Sequence, residues 1–218
     1  RNPRSANLCE EFGYSPIRKD TTRLFTRLFP RAHTPLKIKV LPASSDRIRI
    51  LLSTFYADHN HFSFENLNKD YFYVEDDSGE IVAGVQVNRD AWRVIALPGP
   101  RGKVLLQLFH HTPFLSRLLS KNFRFLATEG LYYKVGSEHV IEMLLETLLY
   151  QHHCHTAIIV VDTGSKVYTL TQQIRLGLLS KISPEVQGNI IAYYQNVDND
   201  YKAGQKEKPS YISVHDLS

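Results

Sequence analysis

The run Thr156-Ala157-Ile158-Ile159-Val160-Val161-Asp162 constrains the fold more than any other stretch of the chain. Its residues are apolar without alternation and rich in β-branched side chains, which suits a strand buried on both faces. Before it lies a strong helix, residues 138–152. Val140, Ile141, Leu144, Leu145, Leu148 and Leu149 give that helix a broad apolar face. Before the helix, residues 123–133 read as another strand, joined to it by the polar turn Lys134-Val135-Gly136-Ser137.

The flanking segments extend this β-α-β centre in both directions. Residues 36–41 alternate apolar and basic, as a strand does. Ser44 or Ser45 then caps a helix with Ile48, Leu51, Leu52 and Phe55 on one face. Residues 71–75 and 80–87 form two strands around the hairpin turn Asp76-Asp77-Ser78-Gly79. A short strand is expected at 93–97, ending at Pro98-Gly99-Pro100. A helix follows at 103–119, with Pro113 breaking or kinking it. Beyond the central strand come a helix at 166–181, a strand at 189–195, a polar loop at 198–209 and a last strand at 211–214. The fold class is therefore α/β, with the element order β-α-β-β-β-α-β-α-β-α-β-β from residue 36 onward.

The 218 residues are 43% hydrophobic, enough for a real core. No run reaches the roughly 18 apolar residues of a membrane span, so no membrane association is expected. Two cysteines, Cys9 and Cys154, are no disulfide framework, and reduced thiols in the cytoplasm are the default. The net charge of +4 is mild and its basic residues are scattered. It favours polyanions in general and carries no nucleic-acid-binding motif. His152-His153-Cys154-His155 lacks a second Cys/His pair at metal-ligand spacing, and Asp58-His59-Asn60-His61 and His110-His111 read the same way, so no metal is expected. The Asp58–His61 run falls in the loop after the first helix of this segment, where it could line a substrate pocket. Nucleophile-elbow, Walker and dinucleotide fingerprints are absent.

The first fourteen residues read as one short capped helix. Asn2 suits the N-cap, Pro3 the first helical position and Gly13 the position just past the end. The stretch resembles the last conserved helix of the GNAT superfamily, the acyl-CoA-dependent N-acyltransferases. Asn2, Ser5, Ala6, Leu8, Gly13 and Tyr14 fall in register with that pattern, and Cys9 stands where many members carry a catalytic Tyr. The break Pro30-Arg31-Ala32-His33-Thr34-Pro35 then separates residues 1–33, expected to be the tail of a preceding unit that is missing here, from a GNAT-like domain over 34–218.

The resemblance implies a mixed, mostly antiparallel twisted sheet flanked by helices. It implies transfer of an acyl group, acetyl in the simplest case, from acetyl-CoA or another acyl-CoA to a small-molecule or peptide amine. Direct attack on the thioester would be assisted by backbone N–H groups of the strand at 123–133. Glu129, late on that strand beside Gly130, takes the general-base position, and Tyr168 falls in the region of the general acid. Leu131, Tyr133 and the loop Val135, Gly136, Ser137, Glu138 and His139 take the cofactor-binding positions. The loop departs from the family: Val135 replaces a basic residue and Glu138 a glycine. Glu129 also reads as a solvent-facing strand residue, Tyr168 as a packed or half-exposed helix residue and the loop as a capped structural helix start. The rival function is accordingly a non-catalytic domain of the same fold that supports or shapes access to an active neighbouring unit. Oligomeric state is open, a homo-oligomer included.

Overall fold

The computed structural model describes residues 3–94, 112, 115–117, 122–182, 185–195 and 198–214. Asn2, most of the 93–97 and 103–119 segments, His110, His111 and Pro113 lie outside the described residues. Among the described residues seven strands form one sheet: β1 (Tyr14–Thr26), β2 (Ile38–Pro42), β3 (Asp70–Glu75), β4 (Ile81–Arg93), β5 (Asn122–Tyr133), β6 (Thr156–Asp162) and β7 (Val186–Tyr193). Their order is β2-β3-β4-β5-β6-β1-β7. Every neighbouring pair is antiparallel except β5–β6. The helices are α1 (Pro3–Glu11), α2 (Asp46–Phe55), α3 (Glu138–Gln151), α4 (Lys166–Gln173), α5 (Leu178–Ile182) and α6 (Asn199–Glu207). The protein is thus a mixed α/β fold with a mostly antiparallel sheet flanked by helices.

The apolar run at β6 is buried along its whole length. Ala157, Ile159 and Val161 face the main core, while Ile158 and Val160 face a smaller cluster with Phe123, Phe125, Ala127 and Val214. On the main side, α3 brings Ile141, Leu144, Leu145, Leu148 and Leu149, and α2 brings Ile48 and Leu52, all fully buried. Each such side chain contributes roughly 1.5–3 kcal/mol of transfer free energy. The β3–β4 hairpin is set by Asp76, whose Oδ1 accepts from the amides of Ser78 and Glu80, with Gly79 in the left-handed region at φ +82°.

The segment expected to be the tail of a neighbouring unit is inside this sheet. β1 pairs with β6 on one edge and β7 on the other. Arg18 on β1 makes a two-point ion pair with Asp162 at the end of β6, its Nη2 2.8 Å from Oδ1. The proline-flanked break after it is packed as well. His33 Nε2 lies 3.2 Å from Glu146 on α3, and the His33 amide donates to Thr147 Oγ1.

Four elements differ from the expected pattern. The helix expected over 166–181 is cut into α4 and α5, because the 174–177 stretch serves the end of β1. Leu176 O accepts from the Thr26 amide at 2.6 Å, Arg175 O accepts from Arg27, and Gly177 turns at φ +105°. The polar loop expected over 198–209 contains α6, whose last carbonyls are taken by Arg18 and Asn60. Residues 211–214 form no strand of the sheet; one isolated bridge links Ser210 to Asn60. β4 runs unbroken to Arg93, so a separate strand does not begin there.

Gly84 on β4 is where the ring of Tyr71 crosses the sheet. A Cβ there would lie 2.5 Å from Tyr71 Cε1, and that ring is fully buried and held by its hydroxyl on Gly130 O. Gly84→Ala is expected to lower the unfolding free energy by about 1–3 kcal/mol through overpacking, read as a lower urea midpoint with unchanged slope.

Candidate functional site

β5 and β6 are parallel neighbours over only two register pairs, Leu126 with Ala157 and Ala127 with Ile158. One more link follows, Thr128 Oγ1 donating to Ile158 O at 2.9 Å. Beyond it the strands separate. The cause lies on the other edge of β5. There Gln86 pairs with Glu129 but Gly84 pairs with Tyr132, so Val85 alone faces Gly130 and Leu131. This is a β-bulge, and bulges bend a strand and re-aim its side chains. Gly130 carries it at φ +58°. A Cβ there would also lie 2.8 Å from Leu67 Cδ2. Gln86 fixes the loop that brings Leu67 in, accepting from the Lys69 amide and donating to Asn66 O.

The bulge turns three backbone groups away from the ladder, and each meets a tyrosine hydroxyl. Gly130 O accepts from Tyr71 at 2.7 Å and Leu131 O from Tyr56 at 2.6 Å. The Gly130 N–H donates to Tyr211 Oη at 3.0 Å. Burial raises the pKa values of Tyr56, Tyr71 and Tyr211 far above the ordinary phenol range, with Glu129 adding to the effect at Tyr56 and Tyr211. All three therefore stay protonated and keep donating.

Glu129 is 1% exposed. Its Oε2 accepts from Tyr211 Oη at 2.8 Å, and its Oε1 accepts from Ser213 Oγ at 2.6 Å and from the Val214 amide at 2.8 Å. Its alternative as a solvent-facing strand residue is excluded by this burial. Across the opening, Asp162 takes the Arg18 ion pair, the Gly164 amide at 2.7 Å and the Ser210 amide at 3.0 Å. The 210–214 segment thus lies in the opening, pinned by a carboxylate at each end. The space left beside it is about 30 Å³, lined by Tyr56, His59, Gly130, Ser165, Ser210 and Tyr211 among others. That volume admits about one water molecule.

His59 is the further polar group on this space. Its side chain is 2% exposed, with Nδ1 2.7 Å from Asp58 Oδ1. Asp58 also meets Lys166 Nζ at 3.2 Å. Nε2 is buried and has no hydrogen-bond partner among the described residues; neither has Ser210 Oγ on the same cavity. Burial pushes the His59 imidazole below its ordinary value, against the pull of Asp58. A neutral ring donating to Asp58 from Nδ1 leaves Nε2 as an acceptor facing the cavity.

The remaining expected residues divide between this opening and the start of α3. Leu131 lines the opening. Tyr133 is buried and its hydroxyl donates to Lys166 O at 3.1 Å, tying β5 to α4. Val135 is 86% exposed. Gly136 has φ +88° with open space where a Cβ would be, so its backbone angle, rather than close approach, calls for glycine. Its amide donates to Glu138 Oε1 at 3.0 Å. That amide and Glu138's own hold the carboxyl below its usual range. The Ser137 side chain caps nothing, and His139 is exposed on the first turn. Tyr168 stands apart: its amide is capped by Ser165 Oγ, and its half-buried ring lies 5.8 Å from the Arg23 guanidinium on the β1 side. His152, His153, Cys154 and His155 do not converge. Cys154 is buried, and His155 Nδ1 meets Arg27 O. Among the described residues no group of three or more His, Cys, Asp or Glu could hold a metal ion, and no helix is long and apolar enough to cross a membrane.

The residues not anticipated are Tyr56, Asp162, Ser210, Tyr211 and Ser213. For the last two the signal was present. The alternation Tyr211-Ile212-Ser213-Val214 sends Tyr and Ser to Glu129 and the two aliphatic side chains to the second core cluster.

No family model matches the chain, and no curated protein is similar to it. Among solved structures, a functionally unknown conserved protein from Staphylococcus epidermidis ATCC 12228 is similar with a TM-score of 0.39 and 10% sequence identity. The likeness covers 87% of this chain and 65% of that one, so this chain spans less than two thirds of that protein's length.

The His59 environment has a titration signature. The imidazole midpoint, followed by nitrogen-15 NMR, is expected below the ordinary value near 6.5. Lys166→Met removes a cation and should raise it; Asp58→Asn should lower it further. The unfolded chain then binds the proton that the folded state refuses, so this group subtracts stability as pH falls below about 6.5.

Proposed function

We propose that this chain is an acyl-CoA-dependent N-acyltransferase of the GNAT type, with the opening between β5 and β6 as the acyl-transfer site. The observation that carries the reading is the parting of the parallel pair at the Gly130 bulge, which aims a backbone N–H and the Glu129 carboxylate into one opening. A donor so placed suits a thioester carbonyl, on which negative charge develops during attack. The substrates on this reading are acetyl-CoA or another acyl-CoA and a small-molecule or peptide amine. The amine nitrogen forms the new bond to the carbonyl carbon, the carbon–sulfur bond breaks with its electron pair leaving on the CoA sulfur, and the amine's proton passes to a carboxylate or imidazole of the opening and from there to the departing thiolate. Glu129 holds the first of these positions and His59 the second.

A second reading is favoured by the start of α3. A phosphate-binding loop offers free amides to an anion, whereas here the Gly136 amide is taken by Glu138 and no basic side chain stands at Val135. On that reading the domain has the same fold without the chemistry and shapes access to a neighbouring unit.

Calorimetric titration with acetyl-CoA separates the two. The acyltransferase reading expects saturable binding that tightens about tenfold in Glu138→Ala, equivalent to about 1.4 kcal/mol, because the variant frees an amide and removes a negative charge. Binding to neither protein establishes the second reading.

A further inference from the structure

The 210–214 segment contacts the same groups that a ligand of the opening would need. Tyr211 Oη takes the Gly130 N–H and donates to Glu129. Ser213 Oγ and the Val214 amide complete Glu129, and the Ser210 amide takes Asp162. Asn60 steadies the approach: its amide donates to Pro209 O, and its carbonyl accepts from the Tyr211 amide. A strand of the sheet is held by a run of backbone pairs. Among the described residues this segment has one isolated bridge, and its attachments to Glu129 and Asp162 run through those two side chains. It therefore sits between β5 and β6 as a ligand sits, and it can leave without breaking any of the six ladders of the sheet.

Its anchorage upstream has the same character. α6 is joined to the body through its carbonyls, Lys206 O to Arg18 and Gln205 O to Asn60. Residues 205–208 of that joint are half-buried or exposed. The space left beside the segment, about 30 Å³, holds a water and no acyl group. Occupation by the segment and by an acyl-CoA arm are therefore mutually exclusive.

We propose that residues 210–214 are an intramolecular latch that competes with acyl-CoA for the opening between β5 and β6 and regulates the site by withdrawing from it. The proposal rests on the acyl-transfer reading of that opening. Glu129 is then the latch's main anchor in the closed state and is released to the site when the latch withdraws. The Gly130 N–H passes from Tyr211 to the incoming carbonyl. Ile212 and Val214 leave the second core cluster, which the remaining members Phe123, Phe125, Ala127, Ile158 and Val160 still form.

The test uses the full chain and acetyl-CoA as the probe. Amide hydrogen exchange is followed at Ser210 and Val214, against the amides of the β4–β5 ladder, with and without acetyl-CoA. Calorimetry is run on the wild type and on Tyr211→Phe and Ser213→Ala, with urea unfolding of each variant as a check on the fold. Ser213→Ala alters one exchange-labile contact and guards against misfolding of the tyrosine variant. The latch expects Ser210 and Val214 to exchange at least 100-fold faster than the ladder, through an opening that leaves the sheet intact. It also expects acetyl-CoA to strip their protection, and the two variants to bind acetyl-CoA at least tenfold more tightly. Exchange of Val214 only with global unfolding overturns it. So does acetyl-CoA binding with equal affinity to all three proteins while Val214 stays protected, an outcome that leaves the acyl-transfer reading standing. Binding to none of the three overturns both.

Discussion

A single residue of left-handed backbone, Gly130, determines where β5 leaves β6. With an extra residue on β5 opposite Val85, the strand bends, and the parallel pairing ends after Ala127. The carbonyls and amide released by the bulge are then buried without ladder partners, a state that costs free energy unless each finds a hydrogen bond. Tyr71 reaches across from β3, Tyr56 from the turn after α2 and Tyr211 from the C-terminal segment. The glycine at position 84 exists to let the first of these cross. One conformational requirement thus explains three buried tyrosines, two glycines and the opening itself.

The buried charges follow the same rule of complete satisfaction. Glu129 has three donors, Asp162 has a guanidinium and two amides, and Glu146 has Arg27 at 3.1 Å and His33 at 3.2 Å. Such groups are costly to bury and much costlier to leave half-paired. Each joins segments far apart in sequence. Asp162 binds β1 and residue 210 to the end of β6, Glu146 binds the proline-flanked stretch to α3, and Glu129 binds residues 211–214 to β5. The carboxylates thereby specify which segments meet, while the apolar faces of α2, α3 and β6 supply most of the burial.

Period and punctuation made most of the elements legible. The unbroken apolar run of β6, the broad face of α3 and the Asp76–Gly79 turn were visible because local pattern and final environment agree there. Gly130 beside Glu129 stood out too, as a glycine late on a strand. What pattern could not convey was which strand lies beside which. β1 carries an ordinary β-compatible pattern and a proline break after it, and nothing local says that it inserts between β6 and β7. The cut between α4 and α5 was hidden for the same reason: Thr26 and Arg27, about 150 residues away in sequence, draw the 174–177 backbone out of helical geometry. The helix at 199–207 has little apolar surface to announce it and depends on Arg18 and Asn60. At the site, Glu129 was recognisable, but its partners come from the last described residues and could be assigned only once the fold had brought them together.

The claim on which the account turns is that the Gly130 amide faces a ligand site. Its resonance, followed in amide NMR spectra as acetyl-CoA is added to the full chain, tests that claim directly. A saturable shift of the Gly130 and Leu131 amides is expected at the same concentration that perturbs residues at the start of α3. Unchanged Gly130 and Leu131 resonances at concentrations that shift other parts of the protein would contradict it.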